Sequence, residues 1–174
     1  GDNNKIKYTL PAMGNLTADI SFTDSGAVGA TDTTSISAQY AFSAAGADIT
    51  IGGANSTTGV SGATDNDAHN LGIKVASGDM TLVVSQSEKT NQSDEISTNG
   101  AAITFAMPNG MKVGAYTMTS EDDLDTNEEY QKSGFELQYT IASGLTAYIN
   151  IDDYEYTATT SDGGSGGSPT ATSD

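Results

Sequence analysis

Residues 134–156 read GFELQYTIASGLTAYINIDDYEY, and the order of apolar and polar side chains in this stretch decides the fold. Phe135, Leu137, Tyr139 and Ile141 alternate with Glu136, Gln138 and Thr140. After Ala142-Ser143-Gly144, Leu145, Ala147, Ile149 and Ile151 alternate with Thr146, Tyr148, Asn150 and Asp152. Successive side chains on a strand point to opposite faces, so alternation on both sides of a tight turn predicts a β-hairpin with one apolar and one polar face. The question for the whole chain is then which solvent each face meets.

The same unit recurs upstream. Ile6, Tyr8 and Leu10 alternate with Lys5, Lys7 and Thr9. Pro11–Gly14 turns the chain into Leu16, Ala18, Ile20 and Phe22, which alternate with Thr17, Asp19, Ser21 and Thr23. Ile36–Phe42 and Ala47–Ile51 flank Ala44-Ala45-Gly46, and Leu71–Val75 and Met80–Val84 flank Ser77-Gly78. Ala101–Met107 precedes Pro108-Asn109-Gly110, whose Asn-Gly pair tolerates the positive φ of tight turns; Met111, Val113 and Ala115 follow, alternating with Lys112, Gly114 and Tyr116. The chain reads as about ten strands in five hairpins at a repeat of about 30–35 residues, with no helical period. Residues 1–156 form the hairpin array, and residues 157–174, rich in Ser, Thr and Gly, read as a polar outer loop or disordered tail.

The connections are predicted to sort by length. Turns inside hairpins take about two to five residues, whereas Asp24–Thr34, Asn55–Asp67, Glu88–Thr98 and Ser120–Glu129 read as loops of about ten or more. Short turns at one end and long loops at the other are expected of an up-and-down transmembrane β-barrel and not of a Greek-key sandwich. The apolar face agrees, for it carries no charge in mid-strand, where Lys or Arg facing lipid would cost about 2–4 kcal/mol. Phe22 and Phe135 near the loop side and Phe42 and Phe105 near the turn side suit interfacial girdles.

Composition narrows the function. The formal net charge of −17, from 23 acidic and 6 basic residues, argues against a polyanion as partner and makes nucleic acid the least expected ligand. The absence of cysteine removes disulfides, thiolate metal sites and cysteine nucleophiles. No stretch approaches the roughly 18–20 apolar residues of a spanning helix, but a spanning strand needs only about 9–11 residues, half of them apolar. With one His and no paired carboxylates, no catalytic constellation stands out, and the chain does not read as an enzyme. The polar GDNN opening reads as a loop already in progress, which favours a fragment.

These hairpins resemble those of Gram-negative outer-membrane porins of the alphaproteobacterial general-diffusion type. The resemblance rests on GNLTADISFTDSG (Gly14–Gly26), NGMKVGAYTMTSEDD (Asn109–Asp123) and SGFELQYTIASGLTAYINIDDYEY (Ser133–Tyr156). It implies a 16-stranded, homotrimeric barrel in the outer membrane, narrowed by an inward-folded third outer loop. The terminal strand ending in Phe that such barrels use for assembly does not occur here, and GDNN would be the end of the constriction loop.

Lys5, Lys7, Lys74 and Lys112 fall on the polar face and would line a water-filled lumen with Asp19, Tyr116, Glu136, Gln138, Tyr148, Asn150 and Asp152. The expected activity is passive diffusion of small hydrophilic solutes and ions without a cofactor, the acidic outer loops favouring cations in the vestibule. Asp123, Asp125 and Asn127 in the EDDLDTNEE loop stand at alternate positions like the start of a calcium loop. Glu128 and Gly134 replace the expected glycine and terminal glutamate, so the loop reads either as a weak divalent-ion contact, with Ca2+, or as a solvated loop. Asp65 and Asp67 with His69 can be read as a metal cluster, but a lone His beside two loop acids reads better as ordinary surface. The alternative reading is a secreted or surface-assembled β-rich structural protein, such as a fibre, surface-layer or adhesin subunit, with or without a calcium requirement.

Overall fold

A computed structural model of the chain describes residues 4–24, 32–60, 62, 64–91, 94–122 and 128–158. Ten strands follow one another: β1 (Asn4–Thr9), β2 (Leu16–Asp24), β3 (Thr33–Ala44), β4 (Ala47–Thr58), β5 (Asn66–Ser77), β6 (Met80–Asn91), β7 (Asp94–Ala106), β8 (Met111–Asp122), β9 (Glu128–Ala142) and β10 (Leu145–Ala158). They form a single sheet in chain order with every neighbouring pair antiparallel, an up-and-down meander whose edges are β1 and β10.

The tight turns lie where the residues predict them, and glycine supplies the backbone they need. Ala45 (φ 51°) and Gly46 (φ 80°) both take the left-handed region between β3 and β4, as a two-residue hairpin turn of the I′ kind requires. Gly144 (φ 81°) ends the β9–β10 turn, and the register shifts between Leu145 and Thr146, a bulge at the base of the hairpin. The Pro108-Asn109-Gly110 turn works differently from expectation. Only Gly110 takes positive φ (80°), while the Asn109 side-chain oxygen accepts a hydrogen bond from the Met111 amide at 3.1 Å.

The other end of the sheet corrects the expectation of four long loops. Strands run on into those stretches, furthest between β6 and β7: β6 continues to Asn91 and β7 begins at Asp94, leaving two residues, 92–93, where eleven read as loop, whereas residues 25–32 still separate β2 from β3. Residues 59–65 separate β4 from β5, and 123–127 separate β8 from β9. Alternation fades in these stretches because side chains on both faces are polar, yet backbone pairing proceeds unbroken, as in His69↔Glu88, Glu88↔Ser97 and Ser97↔Glu121. A strand with water on both sides carries no apolar period, so its pairing is invisible to that signal.

The register holds one parity from β1 to β10, which separates two faces. One bears Ile20, Phe22, Ile36, Ile51, Leu71, Ile73, Val84, Ile103, Phe105, Phe135, Ile149 and Ile151, all of them exposed. No described side chain is buried, and no second layer covers this sheet among the described residues. An apolar face of this extent far exceeds the patches of a few hundred Å2 that soluble monomers expose, so it requires an apolar medium or partner.

Candidate functional site

The opposite, polar face gathers every candidate lining residue. Because cross-strand partners share a face, the pairs Lys112↔Gln138↔Tyr148, Glu136↔Asn150 and Tyr116↔Gly134↔Asp152 place these residues on one wall, and the parity carries across the sheet to Lys74, Asp19, Lys7 and Lys5. Two further lysines join them: Lys89 on β6, opposite Ala68, and Lys132 on β9, opposite Met118 and Tyr154. All six basic residues of the chain therefore lie on this face. Lys89 and Lys132 sit in stretches without apolar alternation, so counting alternate positions outward from Val83 on β6, opposite Lys74, and from Glu136 on β9 is the signal that finds them.

Charge is distributed unequally between the faces. Strand positions on the polar face carry the six lysines with Asp19, Asp48, Asp122, Glu128, Glu136 and Asp152, which comes close to neutrality. The strand acids on the apolar side are Asp24, Asp67, Glu88, Glu95, Glu121, Glu129, Asp153 and Glu155, all toward the end opposite the tight turns and none accompanied by a lysine. Much of the net negative charge thus stands off the polar wall.

Two acid–lysine pairs are built into the wall. Lys7 Nζ lies 3.3 Å from Asp19 Oδ2, and Asp19 Oδ1 accepts a hydrogen bond from the Thr9 hydroxyl at 2.5 Å. At the far side of the sheet Lys132 Nζ lies 3.1 Å from Asp152 Oδ2, and the Tyr116 hydroxyl donates to Asp152 Oδ1 at 2.5 Å. Lys74 and Lys112 have no carboxylate partner among the described residues. Glu136 stands between Gly114 and Asn150 in the register and makes no ion pair among them.

Among the described residues no carboxylates converge on a metal site. Asp123, Asp125 and Asn127 lie outside the described residues. Asp65 accepts a hydrogen bond from the Val60 amide at 3.3 Å, Asp67 accepts one from the Thr57 hydroxyl at 2.6 Å, and His69 pairs with Glu88 across β5 and β6. No group of three His, Cys, Asp or Glu side chains among the described residues could hold a metal ion.

A recess of about 590 Å3 lies off the polar wall. Ile51, Leu71, Ile73 and Val84 line it from the apolar side. Smaller hollows on the polar face are bordered by Lys5, Lys7, Asp19 and Ser37, and by Val83, Gly100, Ala102 and Tyr116.

The comparisons with known proteins bear on the fold and the family. Among curated protein sequences none matches the chain. Solved structures match in fold: Acinetobacter baumannii OccAB4 has a TM-score of 0.78 at 10% identity over 88% of this chain and 48% of that one. Pseudomonas aeruginosa OpdL has a TM-score of 0.78 at 11% identity over 89% and 54%, and A. baumannii OccAB2 a TM-score of 0.74 at 10% identity over 90% and 50%. The chain spans about half the length of these structures, and its ten-stranded sheet corresponds to part of their β-barrels. The family profile described as Gram-negative porin matches residues 1–159, so the chain belongs to the Gram-negative porins, β-barrels of the outer membrane.

Proposed function

We propose that this chain forms part of the wall of a water-filled pore through which small hydrophilic solutes and ions diffuse passively, with no chemical step and no cofactor. The polar face is the lumen wall, lined by Lys5, Lys7, Asp19, Lys74, Lys112, Tyr116, Glu136, Gln138, Tyr148, Asn150 and Asp152. The apolar face meets lipid. The observation that carries this reading is the segregation of all six lysines to one face while the opposite face keeps an uncharged band. Charged groups need water or partners, and an uncharged band about 25 Å tall is what a bilayer requires of a barrel exterior.

General diffusion is favoured over a dedicated binding site by the near balance of charge on that wall, which offers no single-sign track to a solute. Any preference for cations belongs to the acidic connections and rim more than to the strands. Three-fold assembly follows from the resemblance to general-diffusion porins, and native mass measurement in detergent tests it. The function itself is tested by reconstituting the full-length protein into planar bilayers. Stepwise conductance that rises in proportion to salt supports the pore, and its absence, together with partition as a soluble monomer without detergent, overturns it.

A further inference from the structure

Tyr116, Lys132 and Asp152 come from three successive strands, yet they form one compact group. Tyr116 on β8 and Asp152 on β10 share a row with Gly134 of β9 between them. A Cβ at Gly134 would stand 2.7 Å from Cε1 and Cζ of the Tyr116 ring and 2.5 Å from Asp152 Oδ1, closer than real Cβ contacts come. The ring therefore lies directly on the β9 backbone, in the space that the missing side chain leaves. Aromatic cover of a strand glycine by a neighbouring strand is a recognised way of filling such a gap.

The hydroxyl then reaches Asp152, and Lys132 completes the group from one row away, its Nζ 3.1 Å from Asp152 and 5.7 Å from the centre of the Tyr116 ring. The group is also less exposed than comparable side chains on the edge strands. The Lys132 side chain is 30% exposed against 55% for Lys7, and Tyr116 is half-buried whereas Tyr148 on the same wall is 63% exposed. With the ring turned toward β10, the hollow of about 190 Å3 beside Val83, Gly100, Ala102 and Met118 stays open.

We infer that Asp152 is a clamp that holds Tyr116 and Lys132 flat against the pore wall, so that this one carboxylate sets both the width of the lumen and the charge it presents at that level. This deepens the pore reading and rests on it. Without the carboxylate charge, the Tyr116 hydroxyl keeps at most a weaker, neutral acceptor, and the ammonium loses its counter-charge and extends toward water. The pore then narrows and gains an unscreened cation, although the substituted side chain is no larger. Simple loss of a wall charge would shift selectivity without narrowing anything.

The experiment uses full-length protein, wild type and Asp152→Asn, with two readouts. Acetylation of lysines by a water-soluble ester, followed by mass spectrometry, is expected to modify Lys132 more slowly than Lys112 in the wild type and several-fold faster in D152N, Lys112 being unchanged. In planar bilayers D152N is expected to show lower single-channel conductance and a chloride-to-potassium permeability ratio raised about two- to threefold. Tyr116→Phe keeps both charges and serves if D152N does not assemble; it is expected to lower conductance at unchanged reversal potential. Unchanged Lys132 acetylation in D152N, or conductance equal to wild type in either variant, overturns the clamp. A wild type that gives no conductance overturns the pore reading instead, and the acetylation rates still decide whether the clamp exists.

Discussion

His69 on β5 and Glu88 on β6 face each other across the apolar side of the sheet, Nε2 to Oε2 3.5 Å apart, one row beyond Leu71↔Gln86 and two rows beyond Ile73↔Val84. The same face thus passes from aliphatic to charged within three rows, and the rim of the uncharged band runs through Gln86. This boundary gives the two-face reading a quantitative test. Ile73→Arg places a cation in the band and is expected to cost about 2–4 kcal/mol of folding stability in bilayers. Its sequence neighbour Lys74 carries a charge at the same level on the other face. Urea titration of the two forms in lipid vesicles measures the difference, and a change below about 1 kcal/mol would place Ile73 in water.

The parity of the strands can be read chemically, because the chain has no cysteine to confuse a label. Single cysteines at Ser37 and Thr104 are expected to react with a charged thiol reagent and to reduce conductance when modified. Cysteines at Ile36 and Ile103, one residue away, are expected to remain unmodified in bilayers. Modification without this alternation would remove the assignment of faces.

Ala45 adopts φ 51° in the β3–β4 turn, a conformation that costs an L-residue roughly 1–2 kcal/mol. Ala45→Gly and Ala45→Asn are therefore expected to raise stability by up to about 1 kcal/mol. Gly46→Val, at φ 80°, is expected to lower it. Thermal or urea midpoints in detergent order the four proteins, and a destabilised A45G would count against the turn geometry.

Continuation of β6 and β7 beyond the apolar band predicts protected amides where the sequence alone suggests loop. Hydrogen exchange of the full-length protein is expected to be slow for Ser87–Lys89 and Ile96–Asn99, whose backbones pair as Ser87↔Thr98 and Lys89↔Ile96. Exchange at the rate of an unstructured peptide in both segments would restore the long-loop reading.

The hairpins, their tight turns and the apolar face are legible in the sequence because a lipid-facing strand must alternate, and alternation is a local property of the chain. Phe135 to Ile141 and Leu145 to Ile151 display it without any neighbour present. Positions such as Glu136, Asn150 and Lys112 follow from the same parity. What eludes the pattern is any strand segment with water on both sides: Gln86–Asn91 and Asp94–Asn99 pair as well as the lipid-facing rows do, but nothing in their side chains must repeat.

The sequence by itself determined the strand parity of this protein, since the bilayer imposes a period of two on whichever residues cross it. Register was left to the tertiary structure, and register decides which residues meet. Tyr116 and Asp152 are thirty-six positions apart and separated by a whole strand, and only the pairing of β8, β9 and β10 sets them on either side of Gly134. The opening hairpin residue Asp152, first one more polar position on a strand, is in the folded sheet the acceptor that Tyr116 and Lys132 share. Contacts of this kind depend on cross-strand alignment over distances that no local periodicity records.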